Sequence, residues 1–440
     1  MRINTGKGTI PLMTLIAIWS ISLVVNLPGL AITPILGHLD RIFPHTTELE
    51  IQLLTVLPNL LIIPFVLLSG KLSLSKNKIT IVVVALVIYL ASGILYFFAR
   101  SITQLIVISC ILGVGCGLLI PLAAGLLADT FVGKYRMRQL GIKSGISNIA
   151  LVGATFVVGW LNKGNWHMPF LVYLIPAIPL VLSVFLKGIP KSDYAPVTAV
   201  PDTVKEKVAV AQKTAIAGST AKAIAQAHIS PVSEAAGPGE RVRNGFIVGR
   251  IWGLIAVYFL VCYGGVIISY YTPFLVQSYG MSSSMTGTIT ALFFLAVFLP
   301  GFILPTIVRM FKQSTLPICA FSMAVGIGVM VMSRHFGVMC LGALLTGFGY
   351  GVFQPLIYDK ATQTVTSQAK STLALAFVLT ANYLSVSVTP FIVDGLCDLF
   401  GKGTSNTFPF ILNSVIMLVF TVVVILFRKS FVFRIDRSYY

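Results

Sequence analysis

Gly113-Val114-Gly115-Cys116-Gly117-Leu118-Leu119-Ile120-Pro121-Leu122 sits in the middle of a long uncharged run, and Gly347-Phe348-Gly349-Tyr350-Gly351-Val352-Phe353-Gln354-Pro355-Leu356 repeats its frame. Three glycines, the proline and the leucine after it recur at a shift of 234 residues, and the same shift carries Asn148 onto Asn382. Upstream, Leu15-Ile16-Ala17 and Thr33-Pro34 match Leu254-Ile255-Ala256 and Thr272-Pro273, with the internal spacing of 18 kept. Chance can supply one such match in a Gly-rich apolar chain, but hardly three in the same order. The chain reads as one unit duplicated head to tail.

Of the 440 residues, 56% are hydrophobic and only 10% are charged, against about a quarter charged in a soluble domain. Uncharged runs of roughly 20 residues recur, each long enough as a helix to cross a hydrocarbon core of about 30 Å. Backbone groups in lipid must be satisfied internally, and runs this long and uniformly apolar suit helices, not barrel strands. Six spans are expected near 11–36, 50–69, 79–99, 103–128, 144–162 and 168–187, and six more near 250–276, 284–307, 315–333, 338–358, 372–393 and 407–427. The expected fold class is thus an all-α membrane protein of twelve transmembrane helices, two six-helix bundles related by a parallel repeat. The domains are 1–187, a cytoplasmic loop at 188–249, and 250–440 with a short tail. Within the loop, Val204 to His228 is rich in Ala and Lys and reads either as a helix on the membrane surface or as part of a loosely ordered linker. The short polar opening, Met1 to Gly8, leads into a full-length span, so no cleaved signal peptide is expected.

The net charge of +18 is an address, not a nucleic-acid footprint. With spans alternating in direction, Arg2, Lys7, Lys71, Lys76, Lys78, Lys134, Arg136, Arg138, Lys143, Arg309, Lys312, Lys360, Lys370, Arg428, Lys429, Arg434 and Arg437 fall on one side with the basic residues of the central loop. The other side holds Arg41, Arg100, Lys163, Arg334 and Lys402. This places both termini in the cytoplasm of a multi-pass protein of the plasma (inner) membrane. The six cysteines lie singly and read as packing residues, and the histidines His38, His45, His167, His228 and His335 sit in loops or at span ends. Neither pattern offers a metal site, and no catalytic cluster appears at membrane depth. No enzyme and no cofactor are expected; the expected partners are a small-molecule substrate and membrane lipid, without nucleic acid, for a monomer.

Several local motifs carry a resemblance. Asp129 followed by Arg136, Arg138 and Gly141 resembles the helix 4 to helix 5 junction of the drug-efflux branch of the major facilitator superfamily, and Trp166-His167-Met168-Pro169-Phe170 resembles its turn before helix 6. The six-plus-six organisation and long central loop are similar to the same superfamily. Other positions depart from it. Gly70 to Lys78 keeps the glycine, Leu72 and basic ends of the loop between helices 2 and 3 but has Leu74 where an Asp belongs; Ser109 replaces a frequent Arg; and helix 5 has Gly145, Gly153 and Gly159 without the antiporter Gly-Pro pair. The resemblance implies transport by alternating access around a cavity lined by helices 1, 4, 7 and 10 and flanked by 2, 5, 8 and 11.

Candidate residues follow from helical spacing. Thr346, Tyr350, Gln354 and Tyr358 recur every four residues, whereas the matching positions Leu112, Cys116, Ile120 and Ala124 are largely apolar. Polar groups are costly against hydrocarbon, so this stripe should face protein or a wet cavity. A comparable stripe is Trp19, Ser22, Asn26, Gly29 and Thr33. The expected substrate site comprises Trp19, Asn26, Tyr263, Tyr270, Tyr350, Gln354 and Tyr358, with Asn59, Asn148 and Asn382 as flanking hydrogen-bonders. Aromatic rings with neutral amides suit a lipophilic or aromatic organic solute, with efflux favoured over uptake or exchange of a metabolite. Gly113, Gly117 and Pro121, with Gly347, Gly351 and Pro355, read either as hinges or as close-packing positions. Asp129 and Arg136 read as a cytoplasmic latch. Asp40, Glu48, Glu50 and Asp398 are peripheral, and Asp394 is the one other span-associated carboxylate.

Overall fold

A computed structural model describes residues 2–6, 8–28, 48–75, 77–161, 166–188, 241–281, 283–367, 370–401 and 405–435. The expected outer end of the first span with Gly29 and Thr33, the residues Asp40, Arg41, Lys163 and Lys402, and the stretch from Val204 to His228 lie outside the described residues. The helices in chain order are α1 (Leu12–Ser22), α2 (Glu48–Ser75), α3 (Lys78–Leu95), α4 (Ile102–Thr130), α5 (Gly133–Leu161), α6 (Ala177–Leu182), α7 (Val248–Ser278), α8 (Ser283–Phe311), α9 (Thr315–Met332), α10 (Phe336–Thr362), α11 (Ser371–Leu399) and α12 (Phe408–Leu426). Among the described residues, nine helical stretches are long and apolar enough to cross a membrane.

Two expected spans differ in form. The first helix stops at Ser22, well short of residue 36, and Leu23 to Asn26 are turns. Pro28 follows closely, and a proline pushes the residue before it out of helical backbone. The sixth span is a mixed helix: α6 is flanked by 3-10 turns over Met168–Leu174 and Ser183–Gly188. Pro169, Pro176 and Pro179 each remove a backbone donor from this segment, which tightens it into short pieces.

The repeated glycines explain local packing in the segments before and after residues 189–240, here called the two halves. A Cβ at Gly113 would lie 2.7 Å from the Pro58 carbonyl and one at Gly117 2.8 Å from that of Ile62, so both face α2. Gly115 faces α3, 2.9 Å from the Tyr89 amide. In the second half, Gly347 and Gly351 meet the carbonyls of Phe293 and Val297 on α8, while Gly349 meets Cys319 and Met323 on α9. Contacts rise together along α8 and α10 but run oppositely along α9, where Gly326 meets Gly342 and Thr346. The 48-residue apolar stretch Met285–Met332 is therefore two antiparallel helices. The motif is a sandwich code: outer glycines seat one parallel neighbour, and the middle glycine seats an antiparallel one. Both helices run unbroken through Pro121 and Pro355.

Each half also opens with a short β-hairpin, a second echo of the duplication. β1 (Arg2–Asn4) pairs with β2 (Thr9–Pro11), and β3 (Val242–Arg243) with β4 (Phe246–Ile247). Each turn uses left-handed glycine, Gly6 at φ 85° and Gly245 at φ 78°. The first docks on the α4–α5 connection through the Val132 amide donating to the Thr5 carbonyl at 3.1 Å. The second docks on the α10–α11 connection, where Thr366 donates to Gly245 at 3.0 Å and Ile247 to Thr364 at 2.9 Å. The C-terminal segment reaches the same end of the molecule, its Phe431 and Arg434 carbonyls accepting from the buried Lys360 ammonium at 2.7 and 2.6 Å. We call this end the basic face.

The sandwich predicts a sharp contrast between glycines. Gly349→Ala should lower stability by about 1–3 kcal/mol, because its methyl meets backbone on one side and Met323 on the other. Gly395→Ala on α11, with open space around it, should be neutral or stabilising by up to ~1 kcal/mol. Thermal melts of the purified variants check the difference; equal melting temperatures would contradict the packing role.

Candidate functional site between the two halves

The halves meet most closely near the basic face. Gly141 on α5 and Gly301 on α8 approach backbone to backbone, each leaving no room for a Cβ on the other. Gly145 packs under the Phe302 ring, 2.6 Å from where its Cβ would stand. On the opposite flank, Gly70 of α2 seats Ala376 and Leu373 of α11, and Gly125 of α4 seats Thr372. Small residues at these points bring the termini of the two halves within reach of one another.

Two ion pairs occupy that closure. Arg136 Nε donates to Asp359 Oδ1 at 2.6 Å, linking α5 to α10 across 223 residues of sequence. Asp359 is 1% exposed and also accepts from Gln363 at 2.9 Å. Lys78 donates to Asp129 Oδ2 at 2.6 Å and to the Thr372 hydroxyl at 2.8 Å, while Ser371 donates to Asp129 Oδ1 at 3.2 Å. Asp129 and Arg136 thus each take a different ion-pair partner from the one expected: a helical carboxylate and a following guanidinium need not face each other, and both find buried opposite charges on neighbouring helices.

Behind the closure lies a cluster of phenols and amides. Tyr258 of α7 and Tyr358 of α10 share a hydroxyl-to-hydroxyl bond of 2.7 Å with their rings edge to face. Gln354 Nε2 donates to both hydroxyls at 3.3 and 3.2 Å, and its Oε1 accepts from Ser144 of α5. Tyr350 lies 3.8 Å from Cys262 Sγ and 6.3 Å, ring to ring, from Phe293. Lys143, one residue before Ser144, holds its ammonium 5.3 Å from the Tyr358 ring centroid. Trp19 of α1 donates to Gln139 of α5 at 3.1 Å, and Ser147 donates to the Ser22 carbonyl at 2.9 Å. Gln139, Lys143 and Ser147 are four apart and form one polar face of α5.

The expected site residues divide accordingly. Tyr350, Gln354 and Tyr358 come together, and Trp19 stands close by against α5. Thr346 does not join them: its hydroxyl donates to the Gly342 carbonyl at 2.9 Å and faces α9. Asn148 is buried and turned back onto the Ser144 carbonyl at 2.7 Å. Tyr263 is buried on α7, whose next residue, Gly264, faces Met323 and Met417, while Tyr270 is 41% exposed. Asn26, Asn59 and Asn382 are partly buried. Ser109, at the frequent Arg position, shares a hydrogen bond of 2.5 Å with the Tyr96 hydroxyl in the 3-10 turn that follows α3. The Trp166 turn anchors the sixth span, with Phe170 stacked on Tyr96 at 4.4 Å.

Tyr258, Lys143 and Ser144 were not among the expected site residues. Tyr258 and Cys262 are four apart on α7, a spacing that could have flagged them. Lys143 counted only as a topological charge, yet it is 3% exposed and packed inside the bundle.

Known proteins agree with this architecture. Solved structures that resemble the chain include the proton:xylose symporter XylE bound to 6-bromo-6-deoxy-D-glucose, at 13% identity, a TM-score of 0.67 and 95% of each chain covered. The human organic anion transporter MFSD10 (TETRAN) resembles it at 17% identity and a TM-score of 0.63, over 92% of this chain and 97% of that one. Among curated relatives, the multidrug transporter protein MdtP of Bacillus subtilis is 28% identical over 169 residues, 38% of this chain and 30% of that protein. A probable 4-methylmuconolactone transporter of Cupriavidus pinatubonensis is 30% identical over 115 residues, 25% of this chain and 27% of that protein. The chain therefore spans less than a third of the length of either relative in these matches. The profile of the Major Facilitator Superfamily matches residues 12–369 and 254–434, and with that coverage the chain belongs to the Major Facilitator Superfamily.

Proposed function

We propose that the chain carries a small organic solute of lipophilic or aromatic character across the plasma membrane by alternating access, with efflux as its direction. Twelve helices in two six-helix bundles, divided at the 188–249 loop, rock about the phenol and amide cluster, and the basic face is cytoplasmic. The observation that carries this reading is the position of that cluster. Tyr258, Tyr350, Gln354 and Tyr358 lie where α10 meets α7 on one side and α5 on the other, directly behind the Arg136–Asp359 pair. A solute held there would be shielded from the basic face by a closure made of separable parts. The kinship with a protein named as a multidrug transporter favours efflux.

In this reading the basic face is closed, and Arg136–Asp359 and Lys78–Asp129 hold it so. Buried pairs suit a gate because their desolvation cost nearly offsets their attraction, so opening is not prohibitive, whereas removing one partner is costly. The glycine and proline pairs of α4 and α10 act as matched sites of flexure during the rocking motion. Trp19, Asn26, Asn59, Asn148, Tyr263, Tyr270 and Asn382 line or support the path around the cluster.

Reconstitution into proteoliposomes tests the reading. Solutes that stabilise the purified protein should cross the bilayer only in loaded vesicles, and absence of flux for every such solute would end the transporter assignment. Gln354→Ala and Tyr350→Ala should each weaken solute binding by roughly tenfold or more, the loss of about 1.4 kcal/mol; unchanged affinity in both would make the α10 stripe structural. Arg136→Ala strands a buried carboxylate, which costs the closed state roughly 3–5 kcal/mol. In a variant keeping Cys262 as its sole cysteine, Arg136→Ala should speed labelling of Cys262 from the basic face by about tenfold or more, and an unchanged rate would remove the pair from the gate.

A further inference from the structure

Lys143 is the charge that the closure does not account for. It lies seven residues beyond Arg136 on α5, two turns or about 10 Å deeper into the bundle. Arg136 is neutralised by Asp359, and Lys78 by Asp129. Lys143 is 3% exposed, and among the described residues no carboxylate lies within ion-pair distance of its ammonium. A buried ammonium without a counter-charge is costly, and the Tyr358 ring beneath it recovers only part of that cost.

The groups around it share one bias. Tyr258 and Tyr358 present hydroxyls, both protons of the Gln354 amide nitrogen are donated to them, and the Gln354 carbonyl oxygen accepts from Ser144. Two phenol protons serve one bond between the two rings, and the ammonium has three protons to give. The cluster thus holds unspent protons on the ammonium and on one phenol, and is positive by one charge. The cluster continues into the aromatic pair Tyr350 and Phe293.

From this we infer that the site recognises an organic monoanion, a carboxylate with an aromatic or otherwise apolar body. Its carboxylate takes the Lys143 ammonium and a phenol proton, and its body lies toward Tyr350 and Phe293. One lysine beside neutral donors matches a single negative charge; a phosphate dianion calls for more cationic, typically arginine, partners. The inference rests on the transporter reading for the location of the site and refines it by naming the solute class.

Thermal-shift titration of the purified full chain tests it with matched probes: benzoate, phenylacetate and cinnamate, each beside its primary amide. Acids are expected to raise the melting temperature and amides of the same shape to do so far less. Lys143→Gln should weaken acid binding by about a hundredfold, the cost of truncating one partner of a buried charge pair, and Lys143→Arg should retain it within about tenfold. Since glutamine removes a buried charge, the ligand-free variant should melt no lower than the parent; if it fails to fold, Lys143→Met provides the same comparison. Binding of no acid, equal binding of acids and amides, or full acid binding by the uncharged variant would each overturn the inference. Proteoliposome flux separates this failure from that of the transporter reading: neutral solutes that cross with Lys143→Gln unimpaired would leave transport standing and remove the anion site.

Discussion

The contact between Gly141 and Gly301 is the constraint on which the arrangement of the site depends. Any larger side chain at either position would meet backbone of the other helix, so glycine at both positions lets the α5 and α8 backbones touch directly. From that touch follow the neighbouring contacts. Arg136, just over one turn before Gly141, reaches Asp359 of the other half, and Ser144, just under one turn after it, reaches Gln354. A closure and a binding cluster thus sit about two turns apart on one helix, built from successive turns of the same polar face.

The placement of charge follows a division of labour. At the basic face, opposite charges from different helices are paired and buried, which suits a contact that must be made and broken. One step deeper, the pairing stops and a lone cation faces phenols. In the proposed reading, the same type of residue serves closure in one place and recognition in the other. Asp394 of α11 accepts from Tyr271 at 3.2 Å in an exposed setting at the opposite end, far along α11 from the Asp129 and Ser371 contacts.

Much of the architecture is legible in the residues because it depends on local spacing. The duplicated glycines announced both the repeat and close packing, and each one proves to face a particular neighbour. The four-residue stripe on α10 gave three members of the cluster for the same reason. What escaped was anything that joins distant segments. Asp129 and Arg136, seven apart in sequence, looked like natural partners, but each is drawn to a buried opposite charge on another helix. Lys143 was absorbed into a count of basic residues, since a topological rule weighs charge by position along the chain and is blind to which way a side chain turns. Tyr263 and Tyr270, seven apart on α7, suggested one face, yet the first is buried and the second is 41% exposed. The paired hairpins share too little sequence to be found by matching, although each docks on the loop at the corresponding place in its half.

Reciprocal motion of the two ends is the central consequence of the proposed function. Double electron–electron resonance on spin labels at Lys134 and Met310, on α5 and α8 near the basic face, and at Val157 and Gly287 near the opposite end, reads it directly. Adding a solute that binds should lengthen one distance as the other shortens, in two discrete populations whose weights shift together. Distances that stay fixed, or that change in the same direction at both ends, would contradict alternating access around the phenol and amide cluster.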